Sequence, residues 1–335
     1  MSNTKILHFT DVHLLDRNPP SRLGNYRQDL LDKLRRIGDI GRESQVSAYT
    51  CGGDWFHEKV PVKTSHSLVY ELMSVLKSYG APCYTVLGNH DVRYDRTSTY
   101  PEQPVGVLLN SGSVIFQNDK IVQAPGGPKV RLAGFDFAEQ PDMGAIGLSP
   151  IDKKKADYHV LSLHVYASEK GGSIHGKAKI FSYAELLPLG YDVILLGHYH
   201  ADQGVTVLSR EDGSTCHFVN IGSLSRGDYG DEQLTRVPKC CVVSFSADGI
   251  EYVEVPVGAK PASEVFDLQK KEDIKIQLKQ ASDFVEKLES SEVVLSTGED
   301  PVKALQSLNV DDNDVLEATR DFILRATAIL QGGNQ

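Results

Sequence analysis

A chain of 335 residues with 40% hydrophobic and 24% charged side chains has the composition of a globular protein, one large domain or two ordinary ones at roughly 150 residues per domain. No stretch approaches the roughly 18 apolar residues of a membrane span, and five cysteines without CxxC spacing argue against a zinc clip or a disulfide framework. The net charge of −10 weighs against a nucleic-acid partner, but residues 261–335 hold 15 acidic and 8 basic side chains, so the first 260 carry only −3.

The chain opens on MSNTKILHFTDVH, which enters a strand-like run at once and has no signal-peptide core, so an intracellular, cytoplasmic protein is expected. Ile6–Thr10 is the first of five short apolar runs, followed by Ser47–Cys51, Cys83–Leu87, His159–Leu163 and Val193–Leu196. Each has the length of a buried strand. Between them the spacing turns helical. Leu30, Leu31 and Leu34 predict a helix over Tyr26–Gly41, and Leu68, Leu72, Val75 and Leu76 predict another over Thr64–Tyr79. This alternation implies an α/β core with covered sheets. Lys129–Phe135, Val205–Leu208, His217–Val219 and Cys240–Ser246 read as antiparallel strands, the last turning at Ala247-Asp248-Gly249 into Ile250–Val255. Two packed sheets with helices on their outer faces are therefore expected. Past Val257–Pro261 the pattern is helical again. Ile274, Leu278, Ala281, Val285 and Leu288 form a narrow stripe, Asp300-Pro301 reads as a helix start, and a last helix is expected over about Asp314–Leu330. The division is residues 1–258 as an α/β domain and 262–332 as a helical region, either packing on its own core or docking a partner.

The loop after each early run holds residues that can ligate metal. The first is FTDVH (Asp11, His13), the second CGGDWFH (Asp54, His57), the third LGNHD (Asn89, His90, Asp91). The fourth run ends at His164, and the fifth leads into GHYH (His198, His200), whose two imidazoles would stand on one side of an extended strand tip. Singly, each has an ordinary structural reading: a turn or cap for DVH, a loop for GGD, a satisfied core residue for His164. Jointly, in an open α/β sheet, they converge at the carboxyl ends of the strands. Imidazoles with carboxylate and amide oxygens, and no thiolates, suit Mn²⁺, Fe²⁺ or Zn²⁺ better than Ca²⁺ or Mg²⁺. Asp11, His13, Asp54, Asn89, His164, His198 and His200 are too many donors for one ion. A bridging carboxylate, most naturally Asp54, lets them serve two. Paired ions clamp the oxygens of an in-line displacement at phosphorus and acidify water, so phosphoester hydrolysis is the expected chemistry.

The series DVH, GGD, GNHD, a later lone His and GHYH resembles the calcineurin-like metallophosphoesterase superfamily, over about Lys5–Val255. The resemblance implies a four-layer sandwich of two mixed sheets flanked by helices, with a C-terminal helical extension. It implies one metal on Asp11, His13, Asp54 and His200, and the other on Asp54, Asn89, His164 and His198, with Mn²⁺ favoured over Mg²⁺, Fe²⁺ or Zn²⁺. Ser/Thr phosphatases usually carry Asp-Arg-Gly soon after the GD motif, where this chain has Trp55-Phe56-His57-Glu58. GDWFH is instead similar to the GD-x-FH of the DNA double-strand-break nucleases, the SbcD and meiotic-recombination-eleven type. NIGSLSRGDY (Asn220–Tyr229) resembles the glycine-serine loop of that family, although Leu15 and Ile221 stand where glycine and proline are usual. The resemblance implies that His57 orients the phosphodiester, that His90 stabilises the transition state or protonates the leaving oxygen, and that Asp91 holds the His90 ring or serves a plain turn. It further implies a homodimer acting on DNA with an SbcC-like coiled-coil ATPase in repair, recombination or replication, in a compact or virus-encoded form. The rival readings are a phosphodiesterase or phosphatase for small nucleotides and other small phosphoesters, and a scaffold that kept the fold without activity.

Overall fold

A computed structural model describes residues 2–138, 155–174, 178–227, 230–258, 260–273 and 276. The chain divides into two units, Met1–Lys271 and Glu272–Gln335. The apolar-stripe residues Ile274, Leu278, Ala281, Val285 and Leu288 and the expected helices at Asp300-Pro301 and Asp314–Leu330 lie outside the described residues.

The first unit runs β1 (Thr4–Phe9), α1 (Tyr26–Ser44), β2 (Ala48–Cys51), α2 (His66–Lys77), β3 (Cys83–Thr85), α3 (Pro104–Asn110), β4 (Ile115–Phe116), β5 (Lys120–Val122), β6 (Val130–Phe135) and β7 (Tyr158–Val165). It continues through β8 (Ala167–Ser168), β9 (Gly172–Ile174), β10 (Ala178–Ser182), α4 (Tyr183–Leu186), β11 (Val193–His198), β12 (Asp202–Ser209), β13 (Thr215–Ile221), α5 (Asp231–Thr235), β14 (Lys239–Ser246), β15 (Gly249–Pro256) and α6 (Ala262–Val265). Local signals set the helix ends. The Asn25 side chain accepts from the Gln28 amide to start α1, and Gln45 closes it in the left-handed region at φ 55°. Ser65 caps α2 through the Leu68 amide, and Ser182 with Glu185 forms a capping box on α4.

Two six-stranded mixed sheets result, ordered β15-β14-β1-β2-β3-β4 and β12-β13-β11-β7-β6-β5, with a small sheet β8-β10-β9. Helices flank them, as the alternation predicts. Both faces of β11 are buried: Val193 and Leu195 pack between the sheets with Ile6, Val160, Val219 and Phe245, while Ile194 and Leu196 face an outer layer with Tyr183, Leu186 and Phe218. That double burial explains an unbroken apolar run rather than an alternating one. Leu30, Leu34, Leu68 and Leu72 cover the other outer face, against Leu7 and Phe9.

The expected antiparallel reading of Lys129–Phe135 and His217–Val219 needs correction. β6 is antiparallel to β5 but parallel to β7, and β13 is antiparallel to β12 but parallel to β11. A run buried on both faces carries no pattern that distinguishes direction; the crossover connections decide it. No helix among the described residues is long and apolar enough to cross a membrane.

Candidate metal centre

The loops that leave β1, β2, β3, β7 and β11 at their carboxyl ends meet in one place. Asp11, His13 and His200 bring donor atoms within 4.8 Å of one another, as do Asp54, His164 and His198. Asp54 joins the two groups, because its Oδ2 lies 3.5 Å from Nε2 of His13 and 3.5 Å from Nε2 of His164. In the first group, Nε2 of His13 and Nε2 of His200 face each other at 3.0 Å, and Oδ1 of Asp11 is 3.6 Å from His200. In the second, Asn89 Oδ1 stands 3.2 Å from Nε2 of His164. All seven donors expected from the sequence are thus assembled. His198 and His200 divide between the two groups; the backbone leaves the extended region at His198, φ 81°, so the strand tip does not hold both rings on one side.

The backbone is bent to achieve this. Asp11 (φ 52°), His13 (φ 49°), Asp54 (φ 55°) and His198 (φ 81°) all adopt the left-handed region, at a cost of about 1–3 kcal/mol each for non-glycine residues. Two glycines make the crossing possible. A Cβ on Gly88 would sit 2.0 Å from Oδ1 of Asp54, and one on Gly197 would sit 2.5 Å from the Gly52 carbonyl.

The surrounding hydrogen bonds orient the donors. Thr10 Oγ1 donates to Asp11 Oδ2 at 2.6 Å, and the His198 amide donates to the same carboxylate at 3.1 Å. The His90 amide donates to Asp54 Oδ1 at 2.7 Å, leaving Oδ2 for the centre. Nδ1 of His164 is 2.6 Å from the Gly52 carbonyl, which fixes the N–H on that nitrogen and turns Nε2 inward. Burial opposes ionisation of Asp54, but the charge and hydrogen bond of His164 outweigh it and hold the carboxyl well below its usual range. Burial likewise opposes charge on His164, yet Asp54 lifts its pKa to about 9. His198 is pushed down to about 3 by burial and by His164. Imidazoles converging on buried carboxylates, with the His164 tautomer set by the Gly52 carbonyl, fit a pair of divalent ions.

His57 and His90 stand beside the donors. Their rings stack at 5.3 Å and 29°, and the His90 ring meets His13 edge-on at 4.7 Å. Nδ1 of His90 is 2.6 Å from the His57 carbonyl. Asp91 does not make the ring contact left open by the sequence. Its carboxylate accepts the amides of Asp54 (2.8 Å), Gly88 (2.9 Å) and Trp55 (3.0 Å), locking the GGDW and LGNHD loops together. Burial first, then the Asp54 charge, raises its pKa to about 7.

A cavity of about 300 Å³ opens over the centre, lined by Asp54, Asn89, His90, Tyr166, His198, Tyr199 and His200. Tyr166, packed 3.8 Å from the His198 ring, escaped the sequence reading, since a lone tyrosine after a strand carries no signal. The bracing of loop 222–226 was equally hidden. Ser223 Oγ donates to the Asp11 carbonyl at 3.0 Å, and the buried Arg236 donates to the Ser223 and Ser225 carbonyls.

A family model described as calcineurin-like phosphoesterase matches residues 4–202. Among curated proteins, the chain is 24% identical over 251 residues to the DNA double-strand break repair protein Mre11 of Methanosarcina acetivorans, covering 74% of this chain and 38% of that one. It is 30% identical over 103 residues to the Mre11 of Sulfurisphaera tokodaii, covering 31% of this chain and 26% of that one. The chain therefore spans less than half the length of these relatives. A solved structure from Thermus thermophilus aligns at 13% identity with a TM-score of 0.45, covering 77% of this chain and 100% of that one. With the family model spanning most of the sequence and every motif at one centre, the chain belongs to the calcineurin-like phosphoesterase family and is a metal-dependent phosphoesterase.

Proposed function

We propose that this protein is a DNA nuclease that hydrolyses phosphodiesters with two divalent ions, Mn²⁺ foremost. In this reading Asp11, His13, Asp54 and His200 hold one ion, and Asp54, Asn89, His164 and His198 the other. The observation that carries the reading is Asp54 Oδ2, equidistant from the imidazoles of the two donor groups and overlooked by His90. Similarity to proteins named for DNA double-strand break repair supports DNA as the substrate. Residues 1–258 form the catalytic domain in this account. Residues 262–332 dock a coiled-coil ATPase of the SbcC type, and the protein acts as an intracellular homodimer.

The ions, when bound, supply Lewis acidity toward the phosphoryl oxygens and a lowered pKa for water. The protein's own residues do the rest. Asp54, which lines the cavity, and the buried Asp11 hold negative charge, so an anionic substrate enters only when cations compensate them. His57 positions the phosphodiester from the rim. His90, which lines the cavity with its Nδ1 engaged by the His57 carbonyl, delivers a proton to the leaving oxygen. Arg93 and Arg96, on the loop that follows, offer positive charge to the flanking phosphates.

The test incubates the purified full chain with Mn²⁺ and either linear DNA or bis-p-nitrophenyl phosphate. DNA degradation that disappears in both His90→Ala and Asp54→Ala is the expected result. Turnover of the small ester with DNA left intact overturns the nuclease reading in favour of a small-molecule phosphodiesterase.

A further inference from the structure

We propose that the cavity lined by Arg22, Lys33, Arg226 and Lys260 is a second anion site, built to take a phosphate dianion and independent of the metal centre. The cavity measures about 300 Å³ and is completed by Asp29, Asp32, Val257, Gly258 and Val265. Its wall is closed by backbone pairing between two distant segments: the Leu23 amide donates to the Val265 carbonyl at 2.9 Å, and the Asp267 amide to the Ser21 carbonyl at 3.2 Å.

Charge makes the case. Arg22 and Arg226 are both buried, and their guanidinium carbons lie 5.6 Å and 5.3 Å from the centre of the same Phe266 ring. Arg226 donates to three carbonyls, those of Gln233, Lys260 and Leu234, and Lys33 donates to a fourth, Leu224. Carbonyl oxygens satisfy N–H groups without cancelling their charge. Among the described residues, the carboxylate that reaches these cations is Asp29, which accepts Arg22 at 2.7 Å and Lys260 at 3.0 Å. Asp32 instead pairs outward with Arg35 at 2.7 Å. Among the described residues, four basic side chains therefore face one engaged carboxylate. Uncompensated charge in a buried position is costly, and an entering anion removes the cost. One donor already awaits a partner, because the Nε–H of Arg22 is buried without an acceptor. Lys33 stands in the same setting: burial, then Arg22 and Arg236, lower its pKa to about 7, against the opposing pull of Asp29.

The ligand class follows from size and charge. A cavity of this volume holds inorganic phosphate or the phosphate end of a mononucleotide, and guanidinium groups match phosphate oxygens in planar, forked geometry. Duplex nucleic acid does not fit inside it.

The test is isothermal titration of the full chain with inorganic phosphate in a chelator, which removes the metal centre as a competing phosphate site. One phosphate per chain is expected. Lys33→Met and the exposed-side Lys260→Gln should each weaken binding about tenfold or more, while His198→Ala leaves it unchanged. Melting of Lys33→Met without phosphate, at or above the wild-type temperature, verifies its fold. Titration with 5′-AMP separates the sources: tighter binding than inorganic phosphate assigns the site to nucleotides, and equal or weaker binding assigns it to free phosphate. No phosphate binding by the chelated protein, or wild-type affinity in both lysine variants, overturns the proposal.

Discussion

The main-chain carbonyl of His57 holds Nδ1 of His90 at 2.6 Å. The contact uses backbone rather than the His57 ring, so the two residues separate in mutagenesis. His90→Ala should lower the rate by about 10²–10⁴-fold while leaving metal content unchanged. His57→Ala keeps the carbonyl in place and should raise KM for a phosphodiester more than it lowers kcat. Steady-state kinetics with metal analysis on the same samples checks both.

The position of Asp54 between the two donor groups predicts unequal metal losses. Wild type should bind about two Mn²⁺ per chain. His198→Ala should retain about one, through the group formed by Asp11, His13 and His200. Asp54→Ala should retain neither tightly. Metal analysis after gel filtration, with the spin-coupled Mn²⁺ signal as a second readout, decides it.

Asp91 should matter first to stability. Removing its carboxylate leaves the amides of Asp54, Trp55 and Gly88 without their acceptor in a buried setting. Asp91→Ala should cost about 3 kcal/mol in urea unfolding of the chelated protein, and Asp91→Asn, which keeps one acceptor oxygen, visibly less.

Gly88→Ala should be worse than its size suggests. The added methyl group would sit 2.0 Å from Oδ1 and 2.6 Å from the amide nitrogen of Asp54, so Asp54 itself must move. Metal stoichiometry should fall below one per chain even where circular dichroism still reports folded protein.

Lys33 gives a pH signature away from the metals. Its folded-state pKa, about 7, lies below the ordinary 10.5, with burial first and then Arg22, Arg236 and Arg226 opposing the charge and Asp29 favouring it. The unfolded chain therefore binds more protons between these values, and stability from this group rises with pH across that window. Relative to Lys33→Met, wild type should gain stability from pH 7 to pH 10 in phosphate-free buffer. Parallel stability curves for the two proteins would contradict the assignment.

The sequence by itself determined which side chains gather. Five short apolar runs between helical segments read as buried strands, the residues at their tips emerge at the carboxyl end of the sheet, and imidazoles, carboxylates and an amide at five such tips suit a shared metal site. Helices α1 and α2 were legible for a similar local reason, since Leu30, Leu34, Leu68 and Leu72 repeat at the helical period and Asn25 and Ser65 cap their starts. Tertiary structure alone decided what depends on contacts between distant segments. The directions of β6 and β13 followed from the connections, because runs buried on both faces look alike either way. The split of His198 from His200 depended on a left-handed turn that no spacing announces. Asp91 acts on backbone amides from another loop, and Arg22 and Arg226 meet across the ring of Phe266, which lies far from Arg22 in the chain. Such partners are chosen by packing, after the chain has folded, and leave no periodic trace in the sequence.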